Sequence, residues 1–230
     1  MNIAVIPARG GSKRIPRKNI KEFGGRPMIA YAIRAALDAG LFEHVIVSTE
    51  DEEIARISES IGAEVPFLRP AALADDQTPT VPVVRSVIES CAALGWNVRD
   101  VCCVYPCVPF LEPDDLISAH RLLSSSGASY VFTVSEFPAS PQRALRINEA
   151  GEVEPFLPEF QLVRTQDLEP LYFDAGQFYW GAAAAWLDGR KIHSHGVAFV
   201  VPGWRAVDID TPEDWERAAR LYEALGPKSR

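Results

Sequence analysis

Strand and helix signals alternate from Asn2 to about Glu136, and this alternation limits the chain to one class of fold. The apolar run NIAVIPA ends in a glycine-bearing loop. RPMIAYAIRAALDAG follows, with apolar residues recurring at three and four, Pro27 near its first turn and Gly40 at its end. HVIVST reads as a strand, and EDEEIARISESIG as an amphipathic helix with acids in its first turn and Gly62 at its close. AEVPFLR is expected to be a short strand and TPTVPVVRSVIESCAAL a helix opened by Thr78 and Pro79. DVCCVYP, EPDDLISAHRLLSSSG and SYVFTVSEF continue the alternation as strand, helix and strand. Strands that read as continuous apolar runs are buried on both faces, and βαβ spacing then calls for an α/β fold with a doubly wound, mostly parallel sheet.

The pattern breaks after Phe137. Residues 138–172 carry several prolines and no long periodic run. RALRIN-EAG-EVEPF predicts a β-hairpin turning at Glu149–Gly151. This segment is expected to be an inserted β-rich lid or dimerisation arm. The core pattern resumes in GQFYWG and GVAFVVP and closes with TPEDWERAARLYEAL, where Thr211 is the expected N-cap and Pro212 the first helical residue. A length of 230 residues fits one domain, 1–230, with that insertion.

Arg9, Lys13, Arg14, Arg17 and Lys18 crowd the loop after the first strand, although the chain carries a formal net charge of −8. An acidic chain is unsuited to general binding of nucleic acid or anionic membranes, so the cations point to a local anion site. No apolar stretch reaches the roughly 20 residues of a membrane-spanning helix. The first apolar run is too short for a secretory signal, and the reading is a cytoplasmic protein. Cys91, Cys102, Cys103 and Cys107 lack metal-ligand spacing and are expected to be reduced core thiols, with Cys107 alone on a loop.

Ligands of open α/β sheets bind beyond the carboxyl ends of the strands, where this loop must lie. It is neither a GxxxxGK[ST] nor a GxGxxG loop. Ala8, Gly10 and Gly11 bring the backbone to the ligand, with the glycine amides aimed at it. Arg9 offers a planar fork for phosphate oxygens, and Lys13 and Lys18 offer point charges. Arg14 and Arg17 are left between site and solvent. Asp208 and Asp210 share one face of an extended segment, which suits Mg²⁺, an ion that takes one or two carboxylates together with phosphate oxygens and water. Capping of the last helix is the alternative for Asp210. Arg69, Thr78 and Thr80 sit in a long loop and suit the edge of a base, with helix capping an equal alternative for the threonines. Asp75 and Asp76 belong either to the site or to its rim.

The stretches IPARGGSKRIPRKN, VIVSTEDEEIA, FLRPAALADDQT and VDIDTPEDW, in this order and spanning nearly the whole chain, resemble the cytidylyltransferases that make CMP-activated nonulosonic acids. ADDQTPTVPVVR, RALRI and FDAGQFYWG resemble most the branch that activates pseudaminic acid. The resemblance implies a Rossmann-like nucleotidyltransferase that joins CMP from CTP to the anomeric hydroxyl of a nine-carbon keto sugar acid, with Mg²⁺ and without a covalent enzyme intermediate. It assigns Arg9, Ser12, Lys13, Lys18 and Asn19 to triphosphate or ribose. Arg69, Thr78 and Thr80 go to cytosine, and Asp208 and Asp210 to the metal. It also implies a homodimer built through residues 138–172. In sialate-activating members the sugar pocket resembles NGAIYI and QPTSP; here AGQFYW places Ala175 where that Asn falls, and YPCVP places Tyr105 where that Gln falls. Both departures touch the sugar, for which Tyr105, Arg143, Arg164, Gln177 and Tyr179 are the candidate contacts. N-acetylneuraminate and legionaminate synthetases are the alternatives of the same class. A silent nucleotide-binding module is the alternative of another, and the missing GxGxxG argues against a dinucleotide oxidoreductase.

Overall fold

The computed structural model describes residues 1–75 and 77–226. Its elements are β1 (Asn2–Pro7), β2 (Glu22–Phe23), β3 (Arg26–Pro27), α1 (Ile29–Ala39), β4 (His44–Ser48), α2 (Glu52–Ile61), α3 (Thr80–Ala93) and β5 (Asp100–Val104). Then come α4 (Pro113–Ser126), β6 (Tyr130–Glu136), β7 (Leu145–Ile147), β8 (Val153–Pro155), β9 (Tyr172–Ala182), α5 (Ala183–Leu187), β10 (Gly196–Val200) and α6 (Pro212–Leu225).

Six strands form one sheet in the order β10-β6-β9-β5-β1-β4. Five run the same way, and β9 lies antiparallel between β5 and β6. The expected mostly parallel sheet is therefore mixed at its centre. The reason lies in the connection: no α-helix crosses between β6 and β9, and a return without a crossover gives an antiparallel neighbour. AEVPFLR is not a strand. Only a single bridge joins Glu64 to Ile46, because Pro66 and the loop beyond turn the chain away.

Alternate side chains of the strands feed two cores. Ala4, Ile6, Val45 and Val47 face α1, α2 and α4, while Ile3, Val5, Ile46 and Val101 face α3 and α5. Each fully buried aliphatic side chain contributes about 1.5–3 kcal/mol, which fixes strand register. Asp51 caps α2 by accepting the amides of Glu53 and Ile54, and Gly40, Gly62 and Gly127 end α1, α2 and α4 in left-handed backbone. Thr211 and Asp214 form a reciprocal capping box on α6.

A third, smaller core positions the site. Ile15 of the basic loop, Phe23, Phe110, Ile209 and Ala218 of α6 are all buried together. Ile209 lies between the two candidate metal carboxylates, so burying it turns Asp208 and Asp210 outward on its two sides. The predicted hairpin is present: β7 pairs β8 with Leu145 opposite Pro155, and it stands outside the main sheet.

Candidate active site

The carboxyl ends of β1 and β5 and the amino half of β9 border a cavity of about 650 Å³, ample for a nucleotide. The basic loop lines it through Arg9, Ser12, Lys13, Arg14, Lys18 and Asn19. Arg69, Thr78, Thr80 and Tyr105 form another part of the wall, and Asp208 and Asp210 a third. Residues from both ends of the chain thus meet in one cavity.

Two opposite charge groups close on each other here. Lys18 Nζ donates to Ile209 O at 2.7 Å and to Asp210 Oδ1 at 3.1 Å, and Arg14 Nη2 donates to Asp210 Oδ2 at 2.8 Å. Arg14 is therefore drawn into the site. Burial alone would raise the Asp210 pKa, but Lys18 and Arg14 outweigh it and hold the carboxylate below its ordinary value. Asp208 is shifted the other way, upward, by burial first and then by the charge of Asp210. The side chain of Asp210 serves these cations; capping of α6 falls to Thr211.

Asn19 is buried and ties the loop shut: its Nδ2 donates to Arg9 O at 2.9 Å, and its Oδ1 accepts a weak bond from Cys107 Sγ at 3.4 Å. Cys107 is half-buried and borders the cavity, and desolvation pushes its thiol up to about 12, which keeps it protonated and a poor nucleophile. Ala8 is fully buried, with its amide on Ser48 O, and packs beneath the loop instead of facing the cavity. The Gly10 amide is not aimed at the cavity either. It donates to Glu50 Oε1 at 2.7 Å, and a Cβ at Gly10 would come within 2.5 Å of Asp51 Oδ2. Gly10 is needed for that close approach, while Gly11 is exposed and has open space around its Cα.

Arg17 is half-exposed, but its guanidinium is held by α2 and does not stand free in water. It occupies left-handed backbone at φ 57°, which costs a residue with a Cβ roughly 1–2 kcal/mol. Its guanidinium bridges Asp51 at 3.0 Å and Glu53, offsetting that cost and pinning the loop to the start of α2. Arg17 in turn holds the Asp51 carboxyl down to about 2, helped by the helix amides.

Arg69 is buried and spends Nε and Nη2 on the hydroxyl and carbonyl of Ser48, at 3.1 and 2.5 Å. Burial lowers its pKa and Glu50 opposes the shift. Neither threonine caps α3, whose N-cap is Pro79. Thr78 Oγ1 donates to Asp75 Oδ1 at 2.8 Å, which makes Asp75 a brace of the cavity wall. Asp76 lies outside the described residues. Thr80 Oγ1 and the Tyr105 hydroxyl are 2.7 Å apart.

The sugar candidates divide. Tyr105 lines the cavity. Tyr179 and Gln177 are buried in β9: the Tyr179 hydroxyl donates to Asp174 Oδ2 at 2.9 Å, and Gln177 Nε2 to Arg205 O at 2.6 Å. Arg143 and Arg164 belong to the inserted arm, bonded to Thr165 and Asp167, and do not line this cavity. Sequence reasoning passed over Gly176, which lines the wall where β9 bulges, Asp174, which accepts its amide, and Glu50, which accepts the amide of Gly10. A glycine two residues after a charged one inside a strand pattern was the available signal for that bulge.

Among the described residues no three acidic, His or Cys side chains gather as a metal cluster, and no helix is long and apolar enough to cross a membrane. The carboxylate pair nonetheless fits Mg²⁺, because that ion keeps water and substrate oxygens in most of its positions.

Residues 3–152 match the family model described as cytidylyltransferase. The chain is 41% identical over 223 residues to the pseudaminic acid cytidylyltransferase of Campylobacter jejuni, covering 96% of each protein. It is 32% identical over 230 residues to the CMP-N,N'-diacetyllegionaminic acid synthase of Legionella pneumophila, again with 96% of each covered. In fold it is similar to a CMP:2-keto-3-deoxy-manno-octonic acid synthetase complexed with CTP, with a TM-score of 0.73, 16% identity and coverage of 97% and 99%. With its basic loop and acidic pair joined at the carboxyl edge of such a sheet, this chain belongs to the cytidylyltransferase family of nucleotidyltransferases.

Proposed function

We propose that this enzyme transfers CMP from CTP to the anomeric hydroxyl of pseudaminic acid, releasing pyrophosphate. The observation that carries the reading is the 41% identity, over nearly the full length of both chains, to a pseudaminic acid cytidylyltransferase. The cavity supports it with cations for a triphosphate, a carboxylate pair and a polar wall, all within reach of one nucleotide. The transfer forms a bond between the anomeric oxygen and the α-phosphorus. It breaks the bond from that phosphorus to the bridging oxygen of the β-phosphate, and it releases a proton. Such a displacement requires alignment and charge neutralisation, with no covalent enzyme intermediate.

Arg9, Lys13, Arg14 and Lys18 hold the phosphates, and Asn19 keeps their loop in shape. Arg69 and the threonine wall receive the base. Asp208 and Asp210 hold Mg²⁺, which supplies charge neutralisation on the phosphate oxygens when bound. In that state Lys18 and Arg14 exchange a carboxylate partner for phosphate. Tyr105 and Gly176 border the place left for the sugar.

The enzyme is proposed to work as a homodimer through the arm. Leu145, Ile147, Val153, Phe156 and Leu162 are all exposed there, Leu162 at 94%. One folded segment that exposes so much apolar side chain is a surface built to be covered. Arg143 and Arg164 lie on this arm, so a sugar carboxylate would meet them across the interface.

Pyrophosphate release with CTP and Mg²⁺ is measured against a panel of pseudaminate, legionaminate and N-acetylneuraminate. Turnover is expected with pseudaminate. Efficient use of either other sugar without pseudaminate would overturn the substrate assignment, and CTP binding without turnover of any sugar would reduce the protein to a binding module.

A further inference from the structure

The two carboxylates of the acidic pair are held in different ways. Asp210 is clamped by Lys18 and Arg14. The Asp208 side chain has no hydrogen bond or ion pair among the described residues, so its place is set through its backbone. On the carboxyl side that backbone is fixed by Ile209, buried in the third core. On the amino side it continues into the loop that leaves the edge strand β10. The Val201 amide still donates to Val134 O at 2.9 Å. Beyond it the backbone bonds are turns within the loop, Arg205 N to Pro202 O at 2.9 Å and Ala206 N to Gly203 O at 3.2 Å. Neither turn ties the loop to the rest of the protein, and Trp204 adds only an edge contact with Phe110.

Arg205 makes the tie, and makes it twice. Its guanidinium forks onto Asp115 in the first turn of α4, at 2.5 and 3.2 Å, with the two side chains only 13% and 11% exposed. Its carbonyl accepts from Gln177 Nε2 at 2.6 Å. Gln177 is itself rooted in the middle of the sheet: its amide donates to Thr133 Oγ1 at 3.2 Å, and its carbonyl accepts the Tyr105 amide at 2.9 Å. A carbonyl can only accept, so the nitrogen end of the Gln177 side chain must face Arg205. The oxygen end is buried with no hydrogen bond among the described residues. An unpaired buried acceptor is unfavourable, and an apolar side chain would avoid it. Well-packed apolar residues can likewise replace a buried ion pair without loss of stability. Neither hook is what stability alone would select. What the two have in common is that they fix Arg205, three residues and at most about 10 Å of chain before Asp208.

Resting on the reading of Asp208 and Asp210 as a metal pair, we propose that Gln177 and Asp115 are positioning residues that act through Arg205 to hold the Asp208 carboxylate in place for the metal. Neither touches substrate. Gln177 adjoins Gly176 on the cavity wall, and α4 is entered from the connection that carries Tyr105 and Cys107. The acidic segment is thereby set against two walls of the cavity at once.

Gln177→Met keeps the length of the side chain and deletes the donor. Asp115→Leu combined with Arg205→Met exchanges the ion pair for apolar groups and strands no buried charge. Dissociation constants for CTP are measured by calorimetry without sugar, once in EDTA and once in saturating Mg²⁺, for the wild type, for these two variants and for Asp208→Asn. The wild type is expected to bind CTP at least about tenfold more tightly with Mg²⁺, and in both positioning variants this gain is expected to fall by about tenfold or more, as for groups that support a metal ligand. Affinity in EDTA is expected to be unchanged, because the phosphate-binding loop hangs on neither hook. Damage to the fold would instead weaken CTP binding with and without metal alike. A gain kept in either variant, or an equal loss in both conditions, overturns the positioning role. A gain that is absent from the wild type, or that survives Asp208→Asn, refutes the metal pair itself, a separate failure that takes this inference with it.

Discussion

Asp210 is the residue at which the electrostatics of the cavity can be turned into numbers. In the ligand-free protein it neutralises Lys18 at 3.1 Å and Arg14 at 2.8 Å. Its own side chain is 40% exposed and that of Arg14 62%, so each pair is worth only a few tenths of a kcal/mol to about 1 kcal/mol. A triphosphate arriving without metal must take both cations from Asp210 and then sit beside an uncompensated carboxylate. Asp210→Asn keeps the shape and deletes the charge. Metal-free CTP binding is therefore expected to strengthen by about 1–2 kcal/mol, or roughly 5- to 30-fold. Turnover with Mg²⁺ and sugar is expected to fall at least about 100-fold, because loss of a direct ligand should cost no less than the 10–100-fold typical of a supporting group. Calorimetry in EDTA reads the first effect and pyrophosphate release the second. The opposed signs are the test. Weaker metal-free binding would mean that Asp210 does not compete with phosphate for Lys18 and Arg14, and unchanged turnover would remove it from the metal site.

The ion pair that anchors the basic loop predicts an acid transition. The Asp51 carboxyl, at about 2 in the folded protein, lies below its unfolded value near 3.9, so its contribution is present above about pH 4 and is lost as pH falls through 2. After screening by the half-exposed Arg17 this amounts to roughly 1–2 kcal/mol; urea unfolding between pH 5 and 2 should show it in the wild type and not in Asp51→Asn. On the arm, Ile147→Glu with Leu162→Glu should convert a dimer to monomers in sedimentation, and a monomeric wild type would refute the proposed interface. The Cys107 thiol, raised to about 12, should carry roughly a thousandfold less thiolate at pH 8 than an ordinary cysteine. Native protein should therefore label slowly at Cys107 with iodoacetamide in a peptide mass map even though this residue borders the cavity, and rapid labelling would show that its thiol is not held protonated.

What could be read from the sequence depended on the range of the physics involved. Caps are local, so Gly40, Gly62 and Thr211 marked their helix ends in advance, and the turn at Glu149–Gly151 marked its hairpin. The two halves of the site could also be named, because a cation cluster after a first strand and a carboxylate pair before a last helix each have a local pattern. Their meeting is a long-range fact. Lys18 and Asp210 are 192 positions apart, joined because Ile15, Ile209 and Ala218 share one small core. Arg17 was left undecided for the same reason: its partners Asp51 and Glu53 lie 34 and 36 residues away, and nothing near Arg17 announces them.

Strand β9 shows the other kind of failure, in which the signal was present and its consequence was not drawn. The segment before it has no α-helix to make a crossover, only short 3-10 turns, which already favours an antiparallel return beside β6. Once β9 runs antiparallel, its amino end, and not its carboxyl end, reaches the cavity edge. This brings Gly176 to the wall and turns Tyr179, read from sequence as a sugar contact, into the buried neighbour of Tyr105. The direction of one strand thus decides which tyrosine can touch a ligand and which stays in the core behind it. Differences between YPCVP or AGQFYW here and the corresponding stretches of other cytidylyltransferases therefore act at two depths. A change at Tyr105 alters the cavity surface directly. A change at Tyr179 reaches that surface only through the ring it packs against Tyr105.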